Sequence, residues 1–78
     1  MMNGFPSRAE VEALRIRFPE GSRVALDWMD DPYREMPRGM KGTVRSVDDA
    51  GSVHVDWDNG SSLAAVYMVD RIHKVQAE

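Results

Sequence analysis

The sequence predicts an all-β protein, a small five-stranded barrel carrying one N-terminal helix over about residues 8–17. Three observations predict it. Apolar residues alternate at a period of two in Val24-Leu26-Trp28, Val53-Val55-Trp57 and Leu63-Ala65-Tyr67, as half-buried strands require. Glycine-bearing turns at Gly39–Gly42, Asp48–Gly51 and Asn59-Gly60 separate these stretches, so the strands connect as short hairpins. The chain is 78 residues long, enough for one domain with a single small core.

Taken in order, Ser7-Arg-Ala-Glu10 reads as a capping box, in which the Ser7 hydroxyl and the Glu10 carboxylate each accept from the other's amide. Helix formers follow to about Arg17, and Pro19 and Gly21 stop the helix. Val11, Leu14 and Phe18 form one apolar stripe. That stripe is expected either to pack on the barrel as a lid or to dock on a partner, a second copy included. Ser22–Trp28 is the first strand, with Val24, Leu26 and Trp28 facing inward. Residues 29–38 break all alternation, carry two prolines, and read as an ordered surface loop of a length that often serves function.

Gly39–Val47 resumes the strand pattern. Gly42 marks a close backbone approach, and Val47, out of phase with Val44, implies a bulge or strand end near Ser46. Asp48–Gly51 is a turn with Gly51 at positive φ. Gly51–Gly60 is the clearest hairpin strand of the chain, with Val53, Val55 and Trp57 inward and Asn59-Gly60 predicting a type I′ turn. Ser61–Tyr67 is the fourth strand, residues 68–70 a single 3₁₀ turn, and Arg71–Val75 the closing strand with Ile72 inward. The domain division is an N-terminal helical extension at 1–21, a barrel at 22–75 and a frayed tail at 76–78. At this length, five strands so connected predict an SH3-like barrel.

Composition narrows the function classes. The net charge is −3 and the ten Lys and Arg residues are scattered, where general nucleic-acid binders carry a basic stripe. Acidic character also disfavours adsorption to anionic membranes. The opening residues 1–6 lack a basic region followed by an apolar run, so no signal peptide is expected. The longest uncharged apolar run, Leu63–Val69, is too short to span a bilayer. Without cysteine there is no disulfide and no thiolate metal site, which fits a cytoplasmic protein.

Phe18-Pro-Glu-Gly21, Met29-Asp-Asp-Pro-Tyr33, Pro37-x-Gly39-x-x-Gly42-Thr-Val44, Val47-Asp-Asp-Ala-Gly51, Val55-x-Trp57-Asp-Asn-Gly60-Ser-x-Leu63 and Val69-Asp70-Arg71 follow one another in the chain. In this order and spacing they resemble the DUF4314 family of small uncharacterised bacterial domains. The resemblance runs from about Phe18 to Val75 and leaves the helix outside. It implies an SH3-like barrel and a bacterial setting, often among phage, plasmid or conjugative-element genes. It implies no activity.

The candidate site residues are therefore weighed on chemistry. Neither His54 nor His73 has a serine or carboxylate at triad spacing, so catalysis is not expected. His54, Asp56 and Asp58 alternate on one strand face, which reads either as metal ligands or as a solvated outer face, and alternation favours the second. No metal or cofactor is expected. Asp30, Asp31 and Glu35 with Asp48 and Asp49 form an acidic rim if the two loops share one end; alternatively Asp30 or Asp31 accepts amides in an Asx turn before Pro32. Tyr33, between two prolines, is the aromatic expected at the surface. The first expectation is a non-catalytic module binding an unknown protein partner through Met29, Asp30, Asp31, Tyr33, Arg34, Glu35, Asp48 and Asp49. In a mobile-element setting this includes inhibition of a host defence complex, in the manner of anti-CRISPR proteins. The alternatives are a nucleic-acid-binding barrel using Arg34, Arg38, Lys41, Arg45 and Arg71, and a self-assembling domain paired through the helix.

Overall fold

The helix forms where the capping box starts it. In the computed structural model, which describes residues 6–29 and 36–75, α1 spans Arg8–Arg17. Ser7 Oγ accepts from the Glu10 amide at 3.1 Å and Glu10 Oε1 accepts from the Ser7 amide at 2.8 Å, which satisfies two otherwise orphaned donors. Replacing Ser7 with alanine removes one of them and should cost about 1 kcal/mol in a urea titration. Val11 and Phe18 are buried, and Leu14 packs against the core. The stripe is thus spent within the chain, as a lid on the barrel. Arg15 ties the lid down: its guanidinium donates to the Val47 carbonyl at 3.0 and 3.1 Å and to Asp49 at 3.0 Å.

Five antiparallel strands follow: β1 Arg23–Trp28, β2 Lys41–Val47, β3 Val53–Trp57, β4 Ala64–Ala65 and β5 Arg71–Lys74. They lie in the order β4-β3-β2-β1-β5. Ala65 from one outer strand and Ile72 from the other pack on a single cluster with Phe18, Leu26, Val44, Val55 and Trp57. The sheet therefore curls until both edges meet one core, giving an all-β, SH3-like barrel left open along the seam between β4 and β5.

Two bulges set which residues face that core. On β2 the register shifts between Val44 and Ser46, so one extra residue lets Val44 and Val47 both face inward. The expected bulge near Ser46 is this one. On β1 a second shift falls between Leu26 and Trp28. It turns Trp28 away from the face of Val24 and Leu26, pairs it with Arg71, and leaves it 43% exposed. The expectation that Trp28 is a core residue is corrected by that extra residue, Asp27, because a slip of one residue exchanges the faces of a strand.

The turn between β3 and β4 differs from the expected type, while the 48–51 turn has Gly51 at positive φ as expected. Gly60 has φ 91°, but Asn59 is not in the left-handed region, so the turn is not type I′. Gly60 N–H donates to Trp57 O and Trp57 N–H to Ser61 O, both at 2.9 Å, as in a three-residue loop ending on a left-handed glycine. The 48–51 turn repeats the pattern: Gly51 has φ 81°, its N–H donates to Asp48 O, and Asp48 N–H donates to Ser52 O.

β4 is shorter than the predicted 61–67 strand. Side chains take the amides a longer ladder would need: Asn59 Oδ1 accepts from Ser61, Ser61 Oγ from Leu63, and Asp70 Oδ2 from Val66. The predicted 3₁₀ turn at 68–70 is instead a turn over 66–70. Val69 and Asp70 amides both donate to Val66 O, and Met68 takes a left-handed φ of 62°. Tyr67, expected in the core, is half-buried. Its hydroxyl donates to Glu10 Oε2 at 2.9 Å and its ring lies against Gly51.

Candidate functional site

The outward face of the sheet alternates in sign because cross-strand neighbours pair acid with base. Arg23 on β1 grips Asp58 with both terminal nitrogens at 2.9 and 2.6 Å, and Arg45 on β2 binds Asp56 on β3. His73 Nδ1 meets Asp27 Oδ1 at 2.7 Å, and His54 Nε2 meets Asp48 Oδ2 at 2.9 Å. Each of His54, Asp56 and Asp58, weighed above as metal ligands, thus has its own partner. No group of three or more His, Cys, Asp or Glu among the described residues is arranged to hold a metal ion. The hydrogen bond from Arg23 holds the Asp58 carboxyl below the usual aspartate range, and Asp58 in turn raises Arg23. Of the proposed basic face, Arg45 is committed to Asp56, while Arg34 lies outside the described residues.

The acidic rim is only partly described. Asp30, Asp31, Tyr33, Arg34 and Glu35 lie outside the described residues. Met29 is half-buried and packs against the core, as does Met36. Asp48 and Asp49 carry structural contacts. Asp48 Oδ1 accepts from the amides of Ala50 and Ser52 at 3.0 and 2.9 Å, holding the turn, while Asp49 binds Arg15 of the helix.

The Asp48 carboxyl sits below its ordinary value of 3.8, first through the His54 hydrogen bond, with the Ser52 and Ala50 amides adding to it against the opposing effect of burial. A lowered folded-state value means that Asp48 stabilises the fold above pH 3.8, and that the contribution disappears as pH falls through the lower folded value. Asp48→Asn should accordingly be less stable than wild type at neutral pH. The gap between the two should close on acidification below about pH 3.8, followed by urea titrations at stepped pH. A gap that persists unchanged at acid pH would rule this out.

The open seam is what remains available. Between the end of α1, the 66–70 turn and β5 lies a cleft of ≈ 430 Å³ with an apolar wall of Leu14, Phe18, Ala65, Tyr67, Met68 and Ile72 and a charged margin of mixed sign, Arg17 and Arg71 with Asp27, Asp70 and His73. On its rim Val66, Met68 and Val69 are 45, 83 and 43% exposed. Three large apolar side chains in water on one turn form a patch of the kind used for contact. The sequence reading missed this surface. The apolar run Val66–Val69 was visible, but the reading split it between the end of the 61–67 strand and a turn at 68–70 and gave it no surface role.

A family profile described as "Domain of unknown function (DUF4314)" matches residues 7–75. The chain belongs to this family. The match begins at the capping serine and takes in the helix, which corrects the expectation that the resemblance starts at Phe18. No curated protein and no solved structure matches the chain. No helix among the described residues of this DUF4314 domain is long and apolar enough to cross a membrane.

Proposed function

We propose that this DUF4314 domain is a small non-catalytic protein-interaction module that docks a partner protein on the 66–70 turn and the cleft beside it. Met68 carries the reading. Its side chain is 83% exposed and its backbone has φ 62°. The left-handed conformation costs a non-glycine residue about 1 kcal/mol, and an exposed methionine recovers none of that by burial. Strain held under an exposed, adaptable apolar side chain marks a surface kept for contact.

The test is Met68→Asn, since asparagine tolerates left-handed backbone. The variant should unfold at a higher urea concentration than wild type, by about 0.5–1 kcal/mol. In affinity capture from bacterial lysate treated with nuclease, wild type should retain a protein partner that the variant loses. Capture unchanged by the substitution, or recovery of nucleic acid alone, would overturn the reading. The second outcome would move the function to a nucleic-acid-binding barrel. The setting we propose is the bacterial cytoplasm, on a phage or other mobile element, with a host defence complex as the partner. Expression in a CRISPR-immune host should then restore plating of the targeted phage; unrestored plating removes that narrower form.

A further inference from the structure

A thioether is oxidised where solvent reaches it, so the methionines of a folded chain differ in reactivity with their exposure. Met29, Met36, Met40 and Met68 lie among the described residues. The first three are half-buried and pack against the core, and Met36 Sδ also accepts from Asn59 Nδ2 at 3.7 Å. Met68 instead stands in water at the middle of the 66–70 turn, between the exposed Val66 and Val69. The bonds that close this turn make no use of its side chain. The Val69 and Asp70 amides donate to Val66 O, and Asp70 Oδ2 accepts from the Val66 amide. A chemical change at the Met68 sulfur therefore alters the surface and leaves the turn standing.

We infer that Met68 is a site of reversible oxidation, and that its sulfoxide switches off the apolar patch on the 66–70 turn. The inference rests on the docking reading above and adds its regulation. The co-reactant is a peroxide. A lone pair of the Met68 sulfur attacks one peroxide oxygen, and the S–O bond forms as the O–O bond breaks. The departing hydroxide takes the proton from the sulfur-bound oxygen and leaves as water. Sulfur gives up two electrons and the peroxide gains them. The return step consumes two thiols: they become a disulfide, the sulfoxide oxygen leaves as water and the thioether is restored. The oxidised side chain is polar and chiral where an apolar, adaptable one stood. A partner covering the turn must then desolvate the sulfoxide oxygen, which is unfavourable unless a donor meets it. Exposure serves both directions, since the oxidant must reach the sulfur and the reductase must reach the sulfoxide. At Met36 or Met40 the same oxygen would press against the core and loosen the fold. Met68 thus separates loss of binding from loss of stability.

The experiment exposes the full chain to hydrogen peroxide, folded and in urea, and follows each methionine by peptide-mapping mass spectrometry. Met68 should oxidise equally fast in both states, while Met29, Met36 and Met40 should oxidise more slowly in the folded chain. Protein in which Met68 alone of these four has reacted should elute earlier from a phenyl hydrophobic-interaction column, with an unchanged urea midpoint. Methionine sulfoxide reductase with a dithiol should return it to the original elution position. A lysate partner of the untreated chain should bind the sulfoxide form about tenfold more weakly, the loss of about one buried methionine side chain. Met68→Leu, apolar but without sulfur, should show no peroxide-induced shift in elution. The measurements on the wild-type chain stand even if that variant fails to fold. Protection of Met68 in the folded chain, unchanged elution of its sulfoxide, a shift that the reductase cannot reverse or that persists in Met68→Leu, or a partner bound equally by both forms would each overturn the inference. The two readings fail separately. A reversible elution shift in a chain that retains no partner leaves the oxidation site standing and removes the docking module. A partner lost with Met68→Asn but kept by the sulfoxide form does the reverse.

Discussion

Gly42→Ala is expected to destabilise the domain by about 3 kcal/mol, the upper part of the range for overpacking a filled core. A Cβ at this position would stand 2.5 Å from Val55 Cγ1, 2.9 Å from the Asp56 carbonyl oxygen and 3.0 Å from Trp57 Cα. Two of those three atoms are backbone of β3, so no rotamer change relieves them. Relief requires prising β2 from β3 across a ladder that pairs Gly42↔Trp57, Thr43↔Asp56 and Val44↔Val55. The opposing gain from stiffening the unfolded chain is only about 0.4–1 kcal/mol, so the clash wins. Gly60→Ala is the contrast. It has open space around it and a φ of 91°, so it should cost only the left-handed term of about 1–2 kcal/mol. Urea titrations of both variants decide the matter. A Gly42→Ala protein as stable as wild type would mean that β2 and β3 do not approach as described.

Trp57→Ala should cost about 4 kcal/mol, comparable with the whole stability of a domain this small. The indole is 3% exposed at the centre of the cluster, so its removal leaves a cavity the size of the ring. It also leaves the Leu63 carbonyl without the Nε1 donor that reaches it at 2.8 Å. Trp57→Phe separates the two effects. It keeps most of the packing and gives up the hydrogen bond, for about 1–2 kcal/mol. Near-UV circular dichroism and denaturant titration give the readout, with Trp28→Phe as the background so that Trp57 is the sole indole. If Trp57→Ala melts within a few degrees of that background, the core is organised elsewhere.

The helix with its capping box, the inward set Val44, Val53, Val55 and Trp57, the break in phase near Ser46 and the left-handed Gly51 were all legible in the sequence. Each depends on neighbours a few residues apart: a hydroxyl three positions from a carboxylate, an alternation of two, a glycine where Cβ would clash. The β2–β3 and β3–β4 pairings follow from the same information, since short turns bring successive strands together; the pairing of β5 with β1 rather than with β4, which it follows, does not.

The surface proposed for function was not legible, because it arises where elements distant in sequence meet. The phase of β1 up to Leu26 predicts Trp28 inward, and only the register imposed by Arg71 and Ile72 of β5 inserts the bulge that turns it out. Nothing in Val66–Asp70 announces a left-handed Met68. That conformation follows from Val66 O accepting two amides while Asp70 accepts the Val66 amide, in a turn that must carry the chain from β4 to the far edge of the sheet. Likewise the acids at 48 and 49 read as a free rim until Arg15 and His54 arrive to claim them. Local chemistry, repeated along the chain, determined the strands, the turns and the core by itself. The open seam and its exposed methionine were decided only in three dimensions, because the register of long-range strand pairs sets which edges meet and which are left over.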